Sequence, residues 1–139
     1  MNLNLNDLMP GCKNFTWNEF LYLPSWDIYV YPDQTQYENL IQTGKMMQMI
    51  RNSLGKPITI SSGLRPRFYN RLVGGAKESK HILGLAADWY ISGVDCDQVR
   101  LSLVTKLEAM QIRMEDLMGS DWIHTDWAPG EVGNRFFKP

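Results

Sequence analysis

Residues 79–90 read SKHILGLAADWY. In this stretch His81, one of only two histidines in the chain, stands seven positions before Asp88 among residues that are otherwise small or apolar. The second half, LAADWYIS over 85–92, has the length and composition of a buried strand. Gly84 offers a backbone reversal between the histidine and that strand, because glycine adopts left-handed angles at no steric cost. A polar pair delivered from the two sides of one glycine turn is either a hydrogen-bonded core pair or half of a binding site.

Working outward, PITISS (57–62) is short and β-branched and reads as a strand. It runs into SGLRPRFYN, where Gly63 and Pro66 mark a turn. Upstream, Leu40, Met47, Ile50 and Leu54, flanked by Met46 and Met49, follow a helical period from about Gln34 until Gly55 and Pro57 end it. The methionines fit core filling better than a cofactor box. Downstream, Val99, Leu103, Leu107 and Met110 keep helical spacing over 95–110, after the candidate caps Asp95 and Asp97. DWIHTDWA (121–128) mixes aromatic and β-branched residues before Pro129 and Gly130, so its centre reads as a third strand.

The first 33 residues carry Trp17, Phe20, Tyr22, Trp26, Tyr29 and Tyr31 among Pro10, Pro24 and Pro32. They suit a loop-rich aromatic wrap over a core. A carbohydrate-binding platform and a wall of the substrate cleft are the alternatives. No repeat, linker or low-complexity tract interrupts the 139 residues. The expectation is a single α+β domain over 1–139: a small antiparallel sheet with helices packed on it, its motif-bearing core at 57–127.

Composition narrows the function. Fourteen Lys and Arg against fifteen Asp and Glu leave a formal charge of -1. No bulk positive field draws this chain to nucleic acid or anionic lipid, and neither is expected as a partner. The start, MNLNLNDLMPGCKNF, lacks a basic segment followed by an apolar core, so no Sec signal or membrane anchor is expected. Cys12 and Cys96 are too few and too far apart for a disulfide framework or a CxxC metal site, and are expected as reduced, partly buried thiols.

Both histidines lie in apolar segments beside glycines and carboxylates. Zinc takes imidazole nitrogen and carboxylate oxygen, and catalytic sites supply three protein ligands while leaving one position open. His81, Asp88 and His124 can form such a set only if the strands bearing Asp88 and His124 are neighbours. Asp121 lies three residues before His124 and Asp126 two after it. Two carboxylate jobs exist at such a site: accepting a proton from the attacking water, and holding the outward N–H of a ligating histidine. Strand alternation puts Trp122, His124 and Asp126 on one face and Asp121 on the other. Asp121 therefore serves the site only if the chain bends near Gly119-Ser120.

Taken together, SSGLRPRFYNRLVGGAKESKHILGLAADW and DWIH resemble the zinc D-alanyl-D-alanine peptidases, a family that includes phage endolysin endopeptidases and shares a fold with the hedgehog signalling domain. The pattern is carried by Ser62-Gly63-Leu64-Arg65, Asn70, Gly74-Gly75, Ser79-Lys80-His81, Gly84, Ala86, Asp88 and Asp121-Trp122-Ile123-His124. It spans about 57–127, and the terminal NRFF is weakly similar to the family's ending. The resemblance implies a hedgehog/DD-peptidase-like fold and a Zn2+ cofactor held by His81, Asp88 and His124.

It further implies that Asp121 is the general base that deprotonates the metal-bound water and passes the proton to the departing amine. Arg65 would hold a substrate carboxylate or polarise the scissile carbonyl. Ser79 is a candidate substrate contact, with ordering of the loop before His81 as its other role, and Asn70 fits closure of a local turn. Tyr69, Trp89, Trp122 and Trp127 are cleft candidates that individually fit core packing. Where several relatives carry glutamate as the base, this chain has the shorter Asp121, and its reach becomes the question.

The expected activity is that of a zinc metallopeptidase acting on a stem peptide or cross-bridge of bacterial peptidoglycan. It would work as a D,D-carboxypeptidase or an endolysin-type endopeptidase. A monomer made in the cytoplasm and acting at the cell wall by a phage or prophage lysis route fits the size and the missing signal. The rival expectation is a non-catalytic zinc-binding or wall-binding module on the same scaffold.

Overall fold

The computed structural model describes residues 2–138. Helix α1 (Trp17–Leu21) leads into a two-stranded hairpin, β1 (Tyr22–Leu23) with β2 (Ile28–Tyr29). The long helix α2 (Gln34–Leu54) starts where Asp33 and Gln36 exchange reciprocal backbone bonds of 2.8 and 2.9 Å, a capping box. Then follow β3 (Thr59–Ser62), α3 (Arg67–Leu72), α4 (Lys80–Leu83), β4 (Ala86–Tyr90), α5 (Cys96–Leu103), a 3₁₀ turn (Val104–Lys106) and α6 (Leu107–Met110). Strands β5 (Ile112–Glu115), β6 (Ile123–Trp127) and β7 (Phe136–Phe137) complete the order.

The main sheet runs β3-β4-β6-β5-β7, antiparallel throughout except for the parallel pair β5–β7. This is the expected α+β architecture, with two additional strands. β5 alternates buried Ile112 and Met114 with half-buried Arg113 and Glu115, but over only four residues just after α6, and β7, two residues long, becomes a strand only through its pairing with β5. The stretch read as one helix over 95–110 is broken by the 3₁₀ turn. Short helices α3 and α4 replace what reads as turn and loop, since four to six residues hold too little of a helical period to show in sequence.

Strand alternation divides the sheet between core and site. Ala87 and Trp89 on β4, opposite Thr125 and Ile123 on β6, face the core. There the Trp89 indole donates to Thr125 Oγ1 at 3.0 Å, and Leu40, Met46, Met47 and Ile50 of α2 are buried in the same cluster. The methionines are core, as expected. The N-terminal aromatics divide: Phe15, Trp17 and Phe20 pack into the core, whereas Trp26, Tyr29 and Tyr31 on and beside the hairpin remain exposed. Packing therefore accounts for the aromatics up to Phe20 and not for those from Trp26 onward.

Candidate metal centre

β4 and β6 are neighbours, and their register sets Asp88 directly opposite His124. Residues directly opposite on an antiparallel pair project to the same face with their Cβ atoms close together. Asp88 and His124 thus leave the sheet side by side, on the face away from Trp89.

His81 arrives from α4, a helix of four residues held at both ends. Ser79 caps its start by accepting the His81 backbone N–H at 3.2 Å. Gly84 closes it with φ +78°, a conformation that L side chains rarely adopt, and a Cβ there would lie 3.1 Å from the Gln36 carbonyl oxygen. The reversal expected between His81 and Asp88 is this helix cap.

One ligand atom from each of His81, Asp88 and His124 lies within 4.8 Å of the others, and all three residues are buried. Hydrogen bonding fixes which atoms face inward. His81 Nδ1 lies 2.8 Å from the Gly63 carbonyl oxygen, which can only accept, so Nδ1 carries the proton and Nε2 points to the cluster. His124 Nε2 lies 3.1 Å from Asp126 Oδ2, which leaves His124 Nδ1 facing inward. Both inward nitrogens approach the same oxygen, Asp88 Oδ1, at 3.1 and 3.0 Å. With the outer nitrogens donating, two imidazole lone pairs and a carboxylate oxygen converge on one point. Only a cation satisfies such a point.

In the metal-free protein a proton fills that role. Burial holds His81 below the ordinary imidazole value despite the pull of Asp88. Burial lowers His124 as well, but its bonds to Asp126 and Asp88 overrule it and push the ring up to about 9. Burial opposes ionisation of Asp88, yet the two imidazoles outweigh it and hold the carboxyl below its ordinary range. A divalent ion held by the same atoms would take the place of that proton. The donor set, two imidazoles and one carboxylate with an open side, is that of a catalytic zinc site.

Behind the cluster lies support that the sequence pattern leaves out. Asp126 is fully buried and paired with Arg113 through two 2.8 Å bonds, Nε to Oδ1 and NH2 to Oδ2. The Arg113 guanidinium lies under the Phe137 ring, 4.1 Å from its centroid. Of the two carboxylate jobs, Asp126 therefore does the one of holding the histidine. Strand alternation had put His124 and Asp126 on one face, but Arg113 sits on a strand that did not show in the sequence.

Arg65 reaches Asp88 from the other side. Its NH2 donates to Asp88 Oδ2 at 2.8 Å, Nε to Ser62 Oγ at 2.9 Å and NH1 to Asn70 Oδ1 at 3.3 Å. Three of its five N–H groups thus orient a ligand and bind the scaffold. Asn70 also donates to the Ala76 carbonyl at 2.8 Å, closing the turn expected of it. Gly75 is needed there, because a Cβ on it would lie 2.0 Å from Asn70 Oδ1.

The cluster opens into a cavity of about 870 Å³. Asp121 and Trp122 line it beside His124, and Ser79, Lys80 and Phe137 contribute further walls. The bend that Asp121 requires is present, since the strand begins only at Ile123 and Gly119 takes φ +89°. Among the described residues, no side chain pairs with the Asp121 carboxylate. Ser79 both caps α4 and borders the cavity. Of the aromatic candidates, Trp122 alone borders it; Tyr69 and Trp89 are buried in the packing and Trp127 is half-buried. Both cysteines are free and buried.

The zinc D-Ala-D-Ala carboxypeptidase of Streptomyces albus G is 38% identical to this chain over 77 residues, which make up 54% of this chain and 30% of that protein. The chain thus aligns with less than a third of that relative's length. The sequence profile of the family described as Peptidase M15 matches residues 13–126, from before α1 into β6 and across all three donors of the cluster. On that match the chain belongs to the peptidase M15 family.

Proposed function

We propose that this chain is a zinc-dependent peptidase that hydrolyses a peptide bond in bacterial peptidoglycan. One observation carries the reading: three lone-pair donors, His81 Nε2, Asp88 Oδ1 and His124 Nδ1, converge at the floor of an open cavity that Asp121 also lines. The relative's name points to D-Ala-D-Ala peptides as the substrate class. All donors come from one chain, so a monomer suffices.

Zinc held by His81, Asp88 and His124 would supply a Lewis acid that polarises the scissile carbonyl and makes water a nucleophile near neutral pH. Asp121 would accept the proton of the attacking water and return it to the leaving amine, which balances the hydrolysis without a further co-reactant. Asp126 keeps His124 in the tautomer whose Nδ1 lone pair faces inward. Arg65 fixes the second oxygen of Asp88 and borders the cavity, where its remaining donors would meet a substrate carboxylate or carbonyl. Ser79 would contact substrate from the rim.

The test is digestion of purified muropeptides of defined structure, with and without chelator, read by mass spectrometry alongside zinc analysis of the protein. Release of free D-alanine identifies a D,D-carboxypeptidase. Cleavage within the stem or cross-bridge identifies an endolysin-type endopeptidase. Zinc bound at one ion per chain with no new amino group in any substrate would leave only the binding-module reading.

A further inference from the structure

Arg100 is 1% exposed on the inner face of α5, where Cys96, Val99 and Leu103 pack into the core. A buried guanidinium loses its hydration and is unfavourable unless its donors are satisfied, whereas an apolar side chain would pack there without that penalty. The partners of Arg100 show what it holds. NH2 donates to the Ser120 carbonyl at 2.6 Å and NH1 to the Trp122 carbonyl at 2.7 Å, so one planar group binds the residues on both sides of Asp121. Nε contacts Asp97 Oδ1 at 3.2 Å, and Asp97 in turn accepts the Gly119 N–H at 3.0 and 3.2 Å. Three of the four backbone positions 119–122, all but that of Asp121 itself, are thereby tied to the first turns of α5.

We propose that Arg100 and Asp97 are positioning residues that clamp the 119–122 turn and so set where the Asp121 carboxylate meets the attacking water. This rests on the reading of Asp121 as the proton acceptor. Aspartate is one methylene shorter than glutamate, so its reach is set mainly by the backbone. That backbone belongs to the connection between β5 and β6, and such loops are mobile unless tied. A rigid fork binds two carbonyls at once, whereas a lysine ammonium is a point donor on a flexible stem. Misplacing a reacting group by about 1 Å costs on the order of 100-fold in rate.

The experiment is a double-mutant cycle on zinc-loaded protein with soluble muropeptides, combining Arg100→Lys or Asp97→Ala with Asp121→Asn. It reads kcat, KM, zinc per chain and amide hydrogen exchange at 119–122. Each single clamp variant is expected to lower kcat by about 10- to 100-fold, with KM within about twofold, one zinc retained and faster exchange in the turn. In the Asp121→Asn background the clamp variants are expected to cost nothing further, because they act through that carboxylate. If Arg100→Lys does not fold, Asp97→Ala decides, since Asp97 is partly exposed and its loss frees the Gly119 N–H and removes the contact that orients the guanidinium through Nε. Clamp variants with wild-type kcat, or with equal losses in both backgrounds, overturn the positioning role while Asp121 stands. Wild-type kcat in Asp121→Asn alone removes the proton acceptor, and the clamp's role with it.

Discussion

Replacing Asp126 by Asn keeps the shape of the side chain and removes its charge, and the structure allows no good orientation for the amide. With its oxygen in the Oδ2 position toward His124, the NH2 group takes the Oδ1 position and faces Arg113 Nε, donor against donor, where a 2.8 Å charge-assisted bond stood. Turned over, the NH2 faces His124 Nε2 and forces that nitrogen to accept, which moves the ring proton to Nδ1, the atom that faces the metal. Either way the ligand is less well held. Loss of such a partner lowers metal affinity by about 10- to 100-fold, or roughly 1.4–2.8 kcal/mol. The fold is weakened too: breaking a fully buried pair costs about 3–5 kcal/mol, but Arg113 is a quarter exposed, so about 2–3 kcal/mol is expected in the metal-free protein. Zinc titration against a competing chromophoric chelator gives the first number and urea denaturation the second. A zinc affinity within twofold of wild type would refute the argument that Asp126 sets the tautomer.

Further outcomes follow from the same contacts. Gly75→Ala is expected to cost about 1–3 kcal/mol by overpacking against Asn70 and to loosen Arg65 from Asp88. In an Asn70→Ala background the same change should cost much less, and urea denaturation of the four proteins checks the pair. The Cys12 thiol, pushed up to about 11 chiefly by burial, and the buried Cys96 thiol, also raised chiefly by burial, should resist a thiol-disulfide reagent at pH 8 in the native protein. Both should react at once in denaturant. Rapid native labelling of either would show that the packing around it is wrong.

Much of the site was legible because local rules carry it. His81 and Asp88 are separated by a glycine whose left-handed cap the sequence signals directly, and alternation along 123–127 puts His124 and Asp126 on one face. Helix 34–54 carries its own start and stop signals. What stayed hidden depends on which distant segments meet. Arg113 supports His124 only because β5 pairs with β6, and Phe137 covers Arg113 only because β7 pairs with β5. Asp97 reads as a helix cap, yet Asp95 does the capping while Asp97 accepts from Gly119, 22 residues on. Arg65 reads as a substrate contact, and its donors are first engaged by Asp88, Ser62 and Asn70. No spacing rule shows such pairings before the chain is folded.

In the function proposed here, the His81, Asp88 and His124 cluster and Asp121 act together on a peptide bond. The most direct measurement is the release of amino groups from purified peptidoglycan by wild type and by Asp121→Asn at equal zinc content. One zinc per chain is expected in both proteins, with turnover lower in the variant by about 100- to 10,000-fold. Equal turnover at equal zinc content would contradict that function.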